Sequence, residues 1–478
     1  MNSAASTYDL TLLLRWLPIA VASTLLGLLF WADPLVLLIG VAALLLTGST
    51  VSERNSLAVL ILMLPFHRAG LGLDIGSGFG VFDFYAIWFL LLYFWRGLIA
   101  GSFRIKRHPV ILLGFVMLIS FVPSMINAAE MKWVWRGLAQ ILLGVLVMGA
   151  VYDVLARRNS EKFIIGLLRG LIAVSALFTV QGIVLSLQYQ TMMGMAGGRT
   201  YNILFGDPNY YACYLLVVMS FSLAFATVER DRRWKRVMAF FSLLFFSGII
   251  LTVSRAGYLA LLIIGAGFVF YIWRYTGIKR LLLSVLLVSV GSVVIVLFAT
   301  NLGQNLMTLV SVSDRVSGAV GGKDPSVNQR TDIQKVGWRM AQHTPLFGVG
   351  FGNFEIVFGR FRENTLHTHP SEACHNTYLK LLAETGIVGF LCAMLFYGAL
   401  MRVLWTSFRR ARDDARRMLL FGCMMALMSY FLMSATLDQV YEMHFWSLAG
   451  LTLAYATIAR GREASDSAPI SVLSQGDE

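Results

Sequence analysis

Apolar runs of roughly 18 to 20 residues recur along almost the whole chain, separated by short clusters of arginine and lysine. Each run is long enough for one helix to cross the ~30 Å hydrocarbon core of a bilayer. Hydrocarbon offers no water to a peptide group, so a crossing segment must satisfy its own N–H and C=O groups, which a helix does unaided. The pattern predicts an all-α polytopic membrane protein. Charged residues are only 14% of the 478 positions and hydrophobic ones 57%, against roughly 25% charged in an average soluble domain. The first run, Trp16 to Phe30, has no small-residue cleavage site and leads straight into further spans, so it reads as a first helix rather than a signal peptide.

Fourteen apolar segments can be counted, centred near Leu25, Val41, Leu60, Phe89, Phe115, Leu143, Ile172, Leu216, Leu243, Ile264, Val290, Met394, Met425 and Leu451, which predicts about 12–14 transmembrane helices. If the N-terminus is cytoplasmic, 25 of the 39 basic residues fall on the cytoplasmic side, 13 on the other, and Arg169 within a span. Eight of those 13 belong to one long polar segment, Asn301 to Lys380, which would translocate whatever its charge. The positive-inside rule thus predicts both termini in the cytoplasm and the long loop outside. The organisation expected is an N-terminal bundle of about 11 spans over 1–300, the external loop over 301–380, three final helices over 381–461 and a disordered cytoplasmic tail over 462–478. Within the loop, Gln329 to Met340 is amphipathic and helical in pattern, and the glycines from Pro345 to Phe354 demand turns. No internal repeat is visible.

The net charge of +13 reads as membrane orientation, not nucleic-acid binding, since no basic domain accompanies it. Cys213, Cys374, Cys392 and Cys423 form no CxxC pair, so neither a disulfide framework nor a zinc motif follows.

Residues able to carry chemistry gather on the external side. His375 and Asn376 stand where the loop enters a span, with Asn376 placed as its N-cap. The positive helix end and any neighbouring arginine disfavour imidazolium there, leaving a neutral ring able to accept a proton near pH 7. The same position also suits an interfacial histidine bonded to loop carbonyls. Arg255 follows Thr252-Val253-Ser254 at an outside turn, where a cation beside hydrocarbon is costly unless partnered; it reads either as functional or as a snorkelling arginine. Arg199 lies in the turn before Asp207 and can pair with it. Arg330 opens the amphipathic helix. Asp438, Glu442 and His444 occupy the last outside turn, and Asp438 could orient His375. His367, His369, Glu372, Cys374 and His375 invite a metal reading, weakened by Pro370 and by the lack of a matched second ligand pair.

Taken together, His375-Asn376, nine residues, Gly386, two residues and Gly389 resemble the motif of the O-antigen ligase family, found where the periplasmic loop enters the next helix. Arg255-Ala256-Gly257-Tyr258-Leu259 resembles that family's Arg-x3-Leu motif, and Arg330 falls where a second arginine is expected. Fourteen spans exceed the family's usual count. The resemblance implies a C-type glycosyltransferase bundle in the bacterial inner membrane, working at the periplasmic face without metal or other cofactor. Its implied partners are an undecaprenyl-diphosphate-linked glycan, an acceptor glycan such as lipid A core or a lipid-linked repeat, and membrane lipid; no nucleic acid is implied. It assigns catalysis to His375, Arg255 and Arg330, with Arg199, Asn376 and Asp438 as substrate-binding candidates. Ligases and polymerases share this motif, as do ligases that glycosylate proteins. A lipid-linked glycan flippase is the contrasting class, for which repeat symmetry and a midplane site would be expected.

Overall fold

The computed structural model describes residues 52–66, 81–99, 106–193, 207–252, 254–276, 325–363 and 372–466. They form α1 (Glu53–Leu62), α2 (Val81–Ile99), α3 (Pro109–Phe121), α4 (Met131–Arg158), α5 (Glu161–Met193), α6 (Pro208–Val228), α7 (Arg232–Leu251) and α8 (Arg255–Thr276). After these come α9 (Pro325–His343), α10 (Phe354–Phe361), α11 (Thr377–Arg410), α12 (Asp414–Ser434) and α13 (Met443–Asp466), with 3-10 turns over Leu64–Phe66 and Val122–Asn127. No strand occurs among the described residues, so the all-α expectation holds.

Nine of the described helices are long and apolar enough to cross a membrane: α2 to α8, α11 and α12. They account for nine of the fourteen predicted segments. Those at Leu25, Val41 and Val290 lie outside the described residues. The segment at Leu60 is corrected. Ser52 caps α1 at its start and Met63 closes it after ten residues, about 15 Å of helix, half of what a crossing needs. The segment at Leu451 is long enough but more polar, because α13 is the buried helix of the bundle and carries Ser447, Thr452 and Tyr455 inside it. It continues to Asp466, into the stretch expected to be a disordered tail, where Arg462 and Arg416 both pair with Glu161, and Arg416 also with Glu463.

Small residues set the closest helix approaches, as expected where lipid supplies no hydrophobic drive between helices. A Cβ at Gly144 of α4 would stand 2.5 Å from the Trp446 ring of α13, and one at Gly450 would stand 2.6 Å from the Met148 carbonyl. Side-chain oxygens caps fix several helix starts: Asp207 for α6, Asp231 for α7, Asn376 for α11 and Asp413 for α12.

The feature that places the site is a break in α11. Gly386 has φ 64° and ψ −171°, so the helix is interrupted there. The amides and carbonyls freed by the break are taken up by the loop before α10. Val349 N–H donates to Ala383 O at 2.9 Å and Gly350 N–H to Glu384 O at 3.1 Å, while Pro345 O accepts from Ile387 N–H at 2.8 Å. The approach is backbone to backbone. A Cβ at Gly386 would lie 2.3 Å from the Leu346 carbonyl, and one at Gly348, itself at φ 70°, would lie 2.3 Å from the Glu384 carbonyl carbon. The loop is held from its other side by the turn between α3 and α4: Asn127 Nδ2 donates to Gly348 O at 2.8 Å, Phe351 N–H to Ser124 Oγ at 3.0 Å, and Glu130 N–H to Asn353 Oδ1 at 2.8 Å.

Gly386→Ala would meet both the left-handed φ, worth about 1–2 kcal/mol for a residue with a Cβ, and the Leu346 backbone. It should lower the melting temperature and yield of the purified protein in detergent. Gly398→Ala in the same helix, where a Cβ meets nothing within 4 Å, should leave both unchanged.

Candidate functional site

The site is built where the start of α11 meets the turn after α12. Asn376 Oδ1 accepts from the N–H groups of Tyr378 and Leu379, both at 3.1 Å, satisfying two donors of the first helical turn. Thr377 donates to Leu437 O from its N–H at 3.0 Å and from its Oγ1 at 2.7 Å, and that hydroxyl accepts from Gln439 N–H at 2.8 Å. Tyr210 of α6 donates its OH to Asp438 O at 2.7 Å, and Gln439 Nε2 reaches Cys213 Sγ at 3.2 Å. Three helix ends, from α6, α11 and α12, are thereby locked together.

His375 sits just before this lock with φ 52°. A non-glycine residue in the left-handed region is uncommon and persists where its surroundings over-determine it. Here Cys374 on one side is fully buried and Asn376 on the other is committed to capping. Burial, and next the Arg330 guanidinium, push the His375 imidazole below its usual value of 6.5; Asp438, Asp207 and Glu372 pull the other way. The net direction is down, so the ring is neutral at pH 7 and its free nitrogen is a base. Gln329 Nε2 donates to Glu372 Oε1 at 3.1 Å, tying the start of α9, and with it Arg330, to the segment that leads into His375.

Arg255 is brought to the same end of the bundle by a short polar chain. Ser254 Oγ donates to Asn209 Oδ1 at 2.8 Å and caps Gly257 N–H at 3.1 Å, while Asp207 Oδ1 caps the first turn of α6 at 2.6 Å from Asn209 N–H. Thus His375, Asn376, Arg330, Asp438 and Arg255 lie toward one end of the described bundle. Arg199, His367 and His369 lie outside the described residues. Among the described residues no three His, Cys, Asp or Glu side chains form a metal-holding group. His444 is buried beside Glu442 and packs edge-on to Tyr430.

Two buried charges beneath the site escape sequence reasoning. Lys380, only 5% exposed, places Nζ 2.5 Å from Asp438 Oδ2 and 3.4 Å from Glu355 Oε1, above the Tyr441 ring. Asp438 is therefore neutralised from below, while its Oδ1 is buried and accepts no hydrogen bond. One turn further, Glu384 Oε1 accepts from Phe354 N–H at 2.9 Å. The available signal was a lysine and a glutamate inside an apolar run, which hydrocarbon tolerates only with partners; the sequence could not name those partners.

Comparison with known proteins adds the family. Residues 239–394 match the model of the O-Antigen ligase family. Over this segment the chain is similar to that family. The segment runs from α7 through α8, α9 and α10 into α11, and so contains Arg255, Arg330, His375, Asn376, Gly386 and Gly389, but neither Arg199 nor Asp438. The chain is also similar to the teichuronic acid biosynthesis protein TuaE of Bacillus subtilis (strain 168), 24% identical over 266 residues. That match covers 54% of this chain and 52% of TuaE, so the chain spans about half the length of the curated relative it matches. The matched segment sits in a multi-pass membrane protein whose described residues include nine helices long and apolar enough to cross a bilayer.

Breaking a buried ion pair by removing one partner costs about 3–5 kcal/mol, whereas removing both can be nearly neutral. Lys380→Met should accordingly lower the melting temperature of the detergent-solubilised protein sharply, and Lys380→Met with Asp438→Asn should recover most of the loss. A double variant no better than the single would show that the pair does not carry this stability.

Proposed function

We propose that the chain is a membrane glycosyltransferase of the O-antigen ligase type, transferring a glycan from an undecaprenyl-diphosphate donor to a sugar hydroxyl at the periplasmic face of the bacterial inner membrane. The observation that carries this reading is the placement of His375 at the start of α11, where burial and the Arg330 guanidinium favour the neutral ring, within the matched segment that contains both residues. His375 takes the proton from the acceptor hydroxyl as that oxygen attacks the anomeric carbon, which predicts inversion there. Arg255 and Arg330 hold the diphosphate and stabilise the charge that grows on it as the sugar bond breaks. The planar guanidinium fork suits this better than an ammonium. Diphosphate is a good leaving group, so no general acid is needed. Asn376 holds the helix start, and Asp438 and Arg199 are the further substrate-binding candidates; Arg199 lies outside the described residues. In line with the family resemblance, no metal takes part.

Clustering of the basic loops supports the orientation. Arg96, Lys106, Arg157, Arg236, Arg274, Arg410, Arg416 and Arg460 lie at the helix ends remote from His375, which the positive-inside rule assigns to the cytoplasm. The ligase reading has lipid A core as acceptor. The relative named for teichuronic acid biosynthesis favours a second reading, extension of a lipid-linked polysaccharide by the same chemistry.

The purified protein, given an undecaprenyl-diphosphate-linked glycan with and without lipid A core, decides between them. Product only with lipid A core is a ligase; lengthening of the lipid-linked glycan without it is a polymerase; no product in either tube sinks both. In whichever assay responds, His375→Ala should abolish turnover, by at least the 10²-fold typical of a lost general base, while leaving the melting temperature unchanged. An active His375→Ala enzyme removes the base assignment.

A pH profile gives a further check. The base works as neutral imidazole, and its value is lowered from 6.5, so turnover should persist below pH 6.5 and fall only as pH drops through the lowered value. Arg330→Ala removes a lowering influence and should move that acid limb to higher pH; Asp438→Asn removes a raising one and should move it lower.

A further inference from the structure

A second ligand position lies at the far end of the bundle from His375. α3 and the 3-10 turn after it run from His108 to Asn127, about 30 Å at their usual rises, and Asn127 is bonded to the loop docked in the α11 break. His108 therefore marks the opposite membrane surface. There α2, α3 and α4 enclose a cleft of about 520 Å³. Its walls are apolar, formed by Phe94 of α2, Ile111 and Phe115 of α3, and Val145 and Leu146 of α4, while Lys106 and Arg107 stand at its polar end.

Three observations define what such a cleft takes. The first is charge. Of the two acids of this corner, Asp153 is buried and already engaged by Tyr93 OH at 2.8 Å, Arg157 Nε at 2.8 Å and Lys106 N–H at 2.7 Å, and Glu53 lies 3.8 Å from Arg157, so that Arg157, Lys106 and Arg107 outnumber them. Lys106 Nζ donates to a carbonyl, Ala156 O, at 2.7 Å, which leaves its charge uncompensated, and Arg107 is exposed. The polar end thus keeps a surplus of positive charge. The second is shape. Gly149 forms part of the lining, and a Cβ there would meet only Ile111 Cγ2, at 3.6 Å, so the α4 wall leaves room for a foreign chain. The third is polarity by depth: cations at the membrane surface above apolar walls in the hydrocarbon match a molecule with a phosphate head and an alkyl tail.

We propose that this cleft binds an anionic phospholipid of the leaflet opposite the His375 end, its phosphate held by Lys106 and Arg107 and one acyl chain lying between α3 and α4 over Gly149. A polyprenyl phosphate shares the phosphate-and-tail chemistry, and the test separates the two. The proposal does not depend on the glycosyltransferase reading.

The experiment is thermal unfolding of the purified full chain in detergent, titrated separately with phosphatidylglycerol, phosphatidylcholine and undecaprenyl phosphate. Phosphatidylglycerol should raise the melting temperature saturably by several degrees, and the other two lipids by less. Gly149→Leu, which fills the cleft, should melt like the unaltered protein without lipid and lose the phosphatidylglycerol shift. Arg107→Glu, a change at an exposed side chain, should bring the phosphatidylglycerol shift down to that of phosphatidylcholine. An equal shift with phosphatidylcholine, a larger one with undecaprenyl phosphate, or an unchanged phosphatidylglycerol shift in Arg107→Glu would each overturn the proposal. Should Gly149→Leu fail to fold, Arg107→Glu decides alone. A cleft filled by the chain itself would give no lipid response, and the proposal would fall.

Discussion

Hydrocarbon tolerates no unpaired amide, yet α11 is interrupted at Gly386. The peptide hydrogen bonds that join Pro345, Val349 and Gly350 to Ala383, Glu384 and Ile387 are therefore what the architecture around His375 rests on. They let a helix change direction inside the bundle without leaving polar backbone unpaired. Through Ser124, Asn127 and Glu130 the same loop ties α11 to α3 and α4. The opening turns of α11 are consequently held from one side by this loop and from the other by Thr377 on the Leu437 carbonyl. His375, with its left-handed backbone, stands at the tip of a segment fixed along both flanks, as a group whose orientation matters should.

Much of this is legible in the sequence because the medium simplifies the rules. In lipid, length and apolarity nearly determine that a run is a helix, and nine segments read that way have the length and apolarity to cross. Asn376 as an N-cap is equally local, since an asparagine before a helix start has few other uses. The segments read less well are those whose character is decided by distant contacts. α1 is apolar but stops after ten residues, and α13 is polar for a span because other helices, not lipid, surround it. Within the site, Gly386 can be read either as packing or as a kink; the choice depends on a loop some forty residues earlier in the chain. Lys380 marks itself as anomalous in an apolar run, but Asp438, its partner, is 58 residues away.

Charge is distributed with the same logic. At the end remote from His375, Glu161 is buried and joins helix termini by pairing with Arg416 and Arg462. At the His375 end too the charges are buried and balanced. Lys380 offsets Asp438, and the acids near His375 oppose Arg330. This corner can receive an anionic group without first accommodating an excess of its own negative charge, because guanidinium groups at the start of α8 and within α9 are presented to it by helix positions rather than by free loops.

The lock at Thr377 also has a bearing on the order in which the molecule comes into being. Leu437, whose carbonyl receives both Thr377 donors, lies 60 residues downstream, and Asp438 is held by a tyrosine 228 residues upstream. Synthesis delivers His375 well before it delivers the turn that seats it. A nascent chain thus carries His375 unseated, and the lock beside it closes only once α12 has formed and the turn after it has returned to α6. Completion of the last helical hairpin doubles as the step that fixes the start of α11.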